Sequence, residues 1–239
     1  MNFCHHGLIA LLMFVLAGQA RAEAVDLELV LAVDASGSVD EDEYRLQLNG
    51  IAAGFRDPAV RGAITSGPEG RIAVNLLTWA EPQEPKTETG WFVLSGDDDA
   101  EAFARLLQGL PRSQNGATGL GEGIAAAVRA IISNDLDGKR RVIDVSGDGE
   151  ETPAREYVLR LPEARNMADA HGVIVNGLAI QNEAPALHGY YRDKMRTGPG
   201  SFVIAVRNYD DFAEAMRRKL LREIEYRPTI SGRRVRSSG

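Results

Sequence analysis

Cysteine and histidine are scarce in this 239-residue sequence, which has one cysteine, Cys4, and four histidines. Zinc sites built from cysteine and histidine therefore have almost no ligands to draw on. A disulfide framework is excluded, because a single cysteine has no partner within the chain. A metal site in this protein must be built mainly from oxygen ligands.

Positive charge is also in short supply. The sequence has 27 Lys and Arg against 34 Asp and Glu, a formal net charge of −7. A chain with this balance has no general attraction to the phosphates of nucleic acid or to an anionic membrane surface. We therefore expect no nucleic-acid partner.

Long apolar runs are missing, apart from ten apolar residues at Leu8 to Ala17. A membrane-spanning helix needs about 20 such residues, so a permanent anchor fails on length. The run is followed by Ala20-Arg21-Ala22, which predicts a signal peptide at residues 1–22 that is cleaved after Ala22. We expect an exported, periplasmic or secreted protein without stable membrane insertion, in which residues 23–226 form one domain and residues 227–239 a basic, flexible tail.

Predicted strands alternate with predicted helices along the mature chain, which favours an α/β fold with a doubly wound, mostly parallel central sheet and helices on both faces. The predicted strands are Asp26 to Asp34, Arg71 to Ala80, a short edge strand at Trp91 to Ser95 that pairs with its predecessor, Arg141 to Val145, Val173 to Ile180 and Phe202 to Val206. The predicted helices run from Asp40 to Phe55, Asp97 to Leu110, Leu120 to Ile132, Pro153 to Ala170 with a kink or a split at Pro162, and Phe212 to Ile224.

Side chains with oxygen atoms that could bind a metal lie next to three of these segments. Asp34, Ser36 and Ser38 come directly after the first strand, Thr118 precedes the third helix, and Asp148 follows the Arg141 strand. In open α/β sheets, ligands bind outside the carboxyl ends of the strands, where the connections leave in opposite directions. Two carboxylates and three hydroxyls suit a hard divalent cation such as Mg²⁺ or Mn²⁺, and flexible loops could also admit Ca²⁺. The alternative is that the hydroxyls only cap helices and turns.

The segments DASGS at 34–38, GATGLGEG at 116–123 and SGDGE at 146–150 resemble, in order and spacing, the metal-ion-dependent adhesion site of von Willebrand factor type A domains. More narrowly, GRIAVNLLTWA, VIDVSGDGEE, HGVIVNGLAI, GPGSF and KLLREI resemble an uncharacterised family of exported bacterial proteins with that fold. The resemblance implies the metal-site residues Asp34, Ser36, Ser38, Thr118 and Asp148, some of which bind the ion directly and others through water.

A divalent ion held by few carboxylates keeps positive charge at an exchangeable position. We therefore expect a binding module that captures an acidic or other oxygen ligand of a partner protein, above all a carboxylate. The alternative is a metal-dependent hydrolase or phosphoryl-transfer enzyme that uses Asp34. The sequence contains no GxSxG elbow and no P-loop, and neither His171 nor His188 lies in a general-base pattern, so we expect no enzyme activity.

Asp144 lies inside a predicted core strand, where a bare charge is costly. We expect a hydrogen-bonded structural aspartate, and the alternative is a supporting role behind the metal ligands.

Overall fold

The structure is a computed structural model that describes residues 22–153 and 158–225. The predicted signal peptide, apart from Ala22, and the predicted basic tail lie outside the described residues. Nine strands and seven α-helices occur within the described part of the chain. The strands are β1 (Glu23–Val25), β2 (Glu28–Asp34), β3 (Ile72–Trp79), β4 (Thr87–Glu88), β5 (Phe92–Leu94), β6 (Leu136–Gly138), β7 (Arg141–Gly147), β8 (Ile174–Ile180) and β9 (Val203–Val206). The helices are α1 (Glu41–Arg56), α2 (Pro58–Ile64), α3 (Asp97–Gly109), α4 (Leu120–Ile132), α5 (Leu161–Ala170), α6 (Leu187–Tyr190) and α7 (Phe212–Glu225).

Seven strands form one sheet in the order β4-β3-β2-β7-β8-β9, with β5 also paired to β3. The pairs from β3 through β9 are parallel, and only β4 and β5 run antiparallel to β3 at its outer edge. This confirms the predicted doubly wound, mostly parallel sheet and the edge pairing of the Trp91 segment.

The central strands are buried along their whole length because helices cover both faces of the sheet. Every residue of β2 and β3 is buried, as continuous apolar runs predict. One face packs against α1, α3 and α7, represented by Ile51, Phe103 and Leu220. The other face packs against α4 and α5, represented by Ile124 and Ala164.

The chain reverses its direction of travel across the sheet between β2 and β7. From β2 the chain moves outward to β3, and from β7 it moves the opposite way to β8 and β9. Because β2 and β7 are parallel neighbours, with Val33 opposite Ser146, their carboxyl ends lie side by side. The fold therefore brings Asp34 and the residues after Gly147 to its switch point.

The fifth helix differs from its prediction. It begins at Leu161 with Pro162 in its first turn, and residues 158–160 are not helical. Proline is accommodated in a first helical turn because the N–H that it lacks has no partner there. The predicted kink is therefore a helix start.

The prediction for Asp144 needs correction in its chemistry. Its side chain is buried in β7, but its partner is the ammonium group of Lys219 on α7, 2.6 Å from Asp144 Oδ1. The contact is therefore a buried ion pair and not the hydrogen bond that we predicted.

No helix in the described part of the chain has both the length and the apolar character required to cross a bilayer.

Candidate metal site at the carboxyl ends of the strands

The loop after β2 is folded around the Asp34 side chain. The Ser36 N–H donates to Asp34 Oδ1 at 2.8 Å, which closes a turn directly at the strand end. The Gly37 N–H donates to the Gly116 carbonyl at 2.8 Å, so this loop is joined to the loop that carries Thr118. A β-carbon on Gly37 would lie 3.2 Å from that carbonyl oxygen, and the close approach of the two loops explains a glycine here.

The Thr118 loop is also anchored on its other side. The Thr118 N–H donates to Thr152 Oγ1 and the Thr152 N–H donates back to the Thr118 carbonyl, both at 3.0 Å. The Thr118 hydroxyl faces Gly149, where a β-carbon would lie 3.4 Å from Thr118 Oγ1. Thr118 therefore stands beside the residue that follows Asp148.

Asp148 is joined to the first loop by a direct side-chain contact. The Ser38 hydroxyl donates to Asp148 Oδ1 at 2.7 Å across 110 residues of sequence, and Ser36 Oγ lies 3.3 Å from Ser38 Oγ. The structure thus brings Asp34, Ser36, Ser38 and Asp148 together and places Thr118 beside the residue that follows Asp148.

The fully buried carboxylate of Asp34 is poorly compensated in this arrangement. Its Oδ2 has no hydrogen-bond partner among the described residues. Burial, and then the negative charge of Asp148, raise the pKa of Asp34 to about 7 against the lowering effect of hydrogen bonds from Ser36 and from the Asp148 backbone. A hard cation would relieve both penalties, since it supplies the missing partner for Oδ2 and offsets the carboxylate repulsion. The residues present therefore fit a divalent ion.

Sequence reasoning missed four residues that support these groups. Gln47 on α1 donates from Nε2 to the Asp34 carbonyl at 3.1 Å and accepts from the Ser146 hydroxyl at the same distance. Arg112 donates to the carbonyls of Ala35 and Ser36 at 3.2 and 2.9 Å. A buried glutamine on the apolar face of α1 was a usable signal, whereas Arg112 gives none in the sequence.

The other two are tyrosines. The Tyr209 hydroxyl donates to Asp148 Oδ2 at 3.1 Å, and the Tyr191 hydroxyl donates to the Gly149 carbonyl at 3.4 Å. Burial and the charges of the two aspartates raise the pKa of both phenols, so they keep their protons and act as donors. Nothing in their sequence spacing marks them as neighbours of the site.

Other metal or catalytic arrangements are not found in the described residues. Within residues 22–153 and 158–225, no three or more His, Cys, Asp or Glu side chains are arranged so that they could hold a metal ion together. His171 caps the carboxyl end of α5 and His188 lies in α6, and in that part of the chain neither hydrogen-bonds to Asp34 or Asp148. The functional groups of the site are therefore two carboxylates and several hydroxyls.

The sequence matches the model of a family described as "Protein of unknown function (DUF1194)" over residues 24–228. No curated protein has significant sequence similarity to the chain.

Solved structures with a similar fold include von Willebrand factor type A domains. The pilus adhesin SpaC from Lactobacillus rhamnosus GG has a TM-score of 0.61 at 14% identity, over 84% of this chain and 30% of SpaC. Proximal thread matrix protein 1 from the mussel byssus has a TM-score of 0.58 at 14% identity, over 85% of this chain and 47% of that one. The SpRpn10 VWA domain has a TM-score of 0.55 at 14% identity, over 80% of this chain and 95% of that one.

These structural similarities show the fold alone, which is that of a von Willebrand factor type A domain. The chain spans less than half the length of SpaC and of the mussel protein. The mussel protein has also been solved with a zinc-occupied MIDAS motif, at a TM-score of 0.54 to this chain.

Proposed function

Because the chain belongs to the DUF1194 family and has a von Willebrand factor type A fold, we propose that it is a binding module that captures a partner protein through a divalent cation. The observation that carries the proposal is the unpartnered Oδ2 of Asp34, buried beside a second carboxylate that Ser38 connects to the same loop.

The ion would be held by Asp34, Ser36, Ser38, Thr118 and Asp148. An all-oxygen set with two carboxylates favours Mg²⁺, with Mn²⁺ or Ca²⁺ as alternatives. When bound, the ion supplies a positive charge at which an oxygen ligand from outside can bind. The protein's own groups orient the carboxylates and keep the loops together, through the Ser38 and Gly37 contacts described above.

The surroundings of the site support a particular kind of ligand. Asp40, Glu43 and Glu183 lie near it, and none of the three forms an ion pair within the described residues. Burial, followed by the charges of Asp40, Asp148 and Glu183, raises the pKa of Glu43, which shows that these acids lie close together. This rim repels an acidic surface, although salt at physiological strength screens charges beyond about 8 Å. We therefore propose a partner whose carboxylate projects from a neutral or basic surface.

The sequence features at the two ends complete the proposal. A signal peptide at residues 1–22 would export the protein to the periplasm or beyond, residues 23–226 would form the binding domain, and residues 227–239 would be a basic tail. Similarity in fold to a pilus adhesin is compatible with this location.

Calorimetric titration of the full mature chain with Mg²⁺ and Mn²⁺ tests the metal site. Asp34→Ala and Asp148→Ala should each weaken binding at least tenfold, because each removes a carboxylate ligand. Asp98→Ala, which removes an exposed aspartate at the start of α3, is the matched control and should bind as the wild type does. Unchanged affinity in both site variants would refute the assignment.

Capture of a ligand tests the module itself. A peptide with one glutamate between lysines should bind the Mn²⁺-loaded protein, and the same peptide with glutamine should not. Binding of the glutamate peptide should disappear with a chelator. Equal binding of both peptides, or binding that survives the chelator, would argue against metal-dependent capture of a carboxylate.

A further inference from the structure

Tyr209 connects the second carboxylate of the site to the start of α7. It opens a short 3₁₀ turn, Tyr209–Asp211, directly before the helix, and only 5% of its surface is exposed. Its hydroxyl donates to Asp148 Oδ2 at 3.1 Å, while the Ser38 hydroxyl donates to Oδ1. Both oxygens of Asp148 are therefore fixed by donors from different parts of the chain.

Tyr191 occupies the corresponding place beside the first carboxylate. It is fully buried at the start of a π-helical turn, Tyr191–Met195, and its hydroxyl donates to the Gly149 carbonyl. A β-carbon on Gly147 would lie 2.7 Å from the Tyr191 hydroxyl and 2.8 Å from Asp34 Oδ2, so the two groups flank the same small space. A π-helical turn is rare and is often found at functional sites.

The positions of these hydroxyls are specific to the site. A buried phenol needs a hydrogen-bond partner, and any backbone carbonyl can serve, as Pro111 does for Tyr44. Phenylalanine would fill the same apolar space around either ring without that requirement. The Tyr209 hydroxyl nevertheless donates to a carboxylate that we assign to the metal, and the Tyr191 hydroxyl donates to the carbonyl of Gly149, the residue after that carboxylate.

We propose that the Tyr209 hydroxyl, through the Asp148 carboxylate, and the Tyr191 hydroxyl, through the backbone that follows Asp148, position Asp148 for the cation and thereby set its affinity. The inference rests on the proposed function. Hydrogen bonds to the groups behind metal ligands restrict the ligands to the geometry that the ion needs, and their loss typically costs 10- to 100-fold in metal affinity. The tyrosines are positioning residues and are not themselves ligands.

The test measures Mn²⁺ affinity by calorimetry and, separately, thermal unfolding with a chelator present, on the full mature chain. Tyr209→Phe and Tyr191→Phe should each raise the dissociation constant about tenfold or more. Tyr44→Phe also deletes a hydroxyl from a buried ring, but one bonded to the carbonyl of Pro111 and not to Asp148 or the residue after it, and should remain within twofold of the wild type. The chelator measurement reports the structural cost of each hydroxyl without the metal.

The outcomes separate the two proposals. If the wild type binds Mn²⁺ and a folded Tyr209→Phe protein binds within twofold of it, the inference is overturned while the metal site stands, whatever the change in unfolding temperature. If Tyr209→Phe does not fold, Tyr191→Phe decides by the same criterion. A wild type that binds no divalent ion overturns both the metal site and this inference.

Discussion

A second pair of buried carboxylates makes the stability of the domain depend on pH. Asp144 and Glu223 share one ammonium group, that of Lys219, at 2.6 and 2.7 Å, and none of the three side chains is exposed. One cation cannot neutralise two carboxylates in an apolar interior. Burial, followed by the charge of Asp144, raises the pKa of Glu223 to about 8 against the lowering effects of Lys219 and Asn176.

The sign and size of the effect follow from this shift. Glu223 has a pKa of about 8 in the folded state and 4.5 in the unfolded state. Its contribution to stability is therefore complete below pH 4.5 and is lost as the pH rises to 8. The full loss is on the order of 5 kcal/mol, or about 1.4 kcal/mol per pH unit. Glu223→Gln keeps an acceptor for Asn176 and Lys219 but does not titrate. The free energy of unfolding of Glu223→Gln, relative to that of the wild type, should therefore rise steadily from pH 5 to pH 8.

Urea unfolding at pH 5, 6, 7 and 8 with a chelator present measures this difference directly. Glu225→Gln, an exposed substitution two residues along the same helix, is the matched control and should follow the wild type. Asp34 titrates in all three proteins, so its contribution cancels in the comparison. Parallel pH profiles for the wild type and Glu223→Gln would refute the assignment of a buried proton to Glu223.

Two further predictions concern the metal site. Mn²⁺ should bind about tenfold more weakly at pH 6 than at pH 8, because the Asp34 carboxyl, with a pKa of about 7, must lose its proton first. Equal affinities at the two pH values, measured by titration calorimetry, would contradict this. Gly147→Ala should weaken Mn²⁺ binding at least tenfold and lower the unfolding temperature, because the new methyl group would displace Asp34 Oδ2. Gly189→Ala is the control: its methyl group would point into open space, so it should change neither Mn²⁺ affinity nor the unfolding temperature.

The parts of the fold that the sequence predicts well are those in which burial alone determines structure. β2 and β3 are covered on both faces, so their apolar runs are continuous and their ends are sharp. The parallel ladder of β1 with β6 was missed, because each strand has three residues and Leu136–Gly138 reads as a polar turn. Its pairing joins segments more than 100 residues apart, and such distant partners leave no local pattern.

The candidate site divides in the same way. Asp34, Ser36, Ser38 and Asp148 could be identified because they end or follow strands whose carboxyl ends must meet in a parallel sheet, whereas the assignment of Thr118, which precedes a helix, depends on the family resemblance as well. Tyr209 and Lys219 could not, since a tyrosine before a helix and a lysine within one are equally suited to the surface. Their roles depend on the way α7 packs against the sheet, which places one beside Asp148 and buries the other beside Asp144.

The two buried carboxylate pairs differ in how their negative charge is compensated. Asp144 and Glu223 have a resident cation in Lys219, and the remaining negative charge is removed by a proton. Asp34 and Asp148 have no such cation, because within residues 22–153 and 158–225 only hydroxyls and N–H groups reach them, and no lysine or arginine lowers the pKa of Asp34. Because no lysine lies at this pair, its negative charge can be reduced only by a proton on Asp34 or by a cation from outside. Binding of a cation there would stabilise the fold by the free energy of binding, so metal affinity and domain stability should rise and fall together.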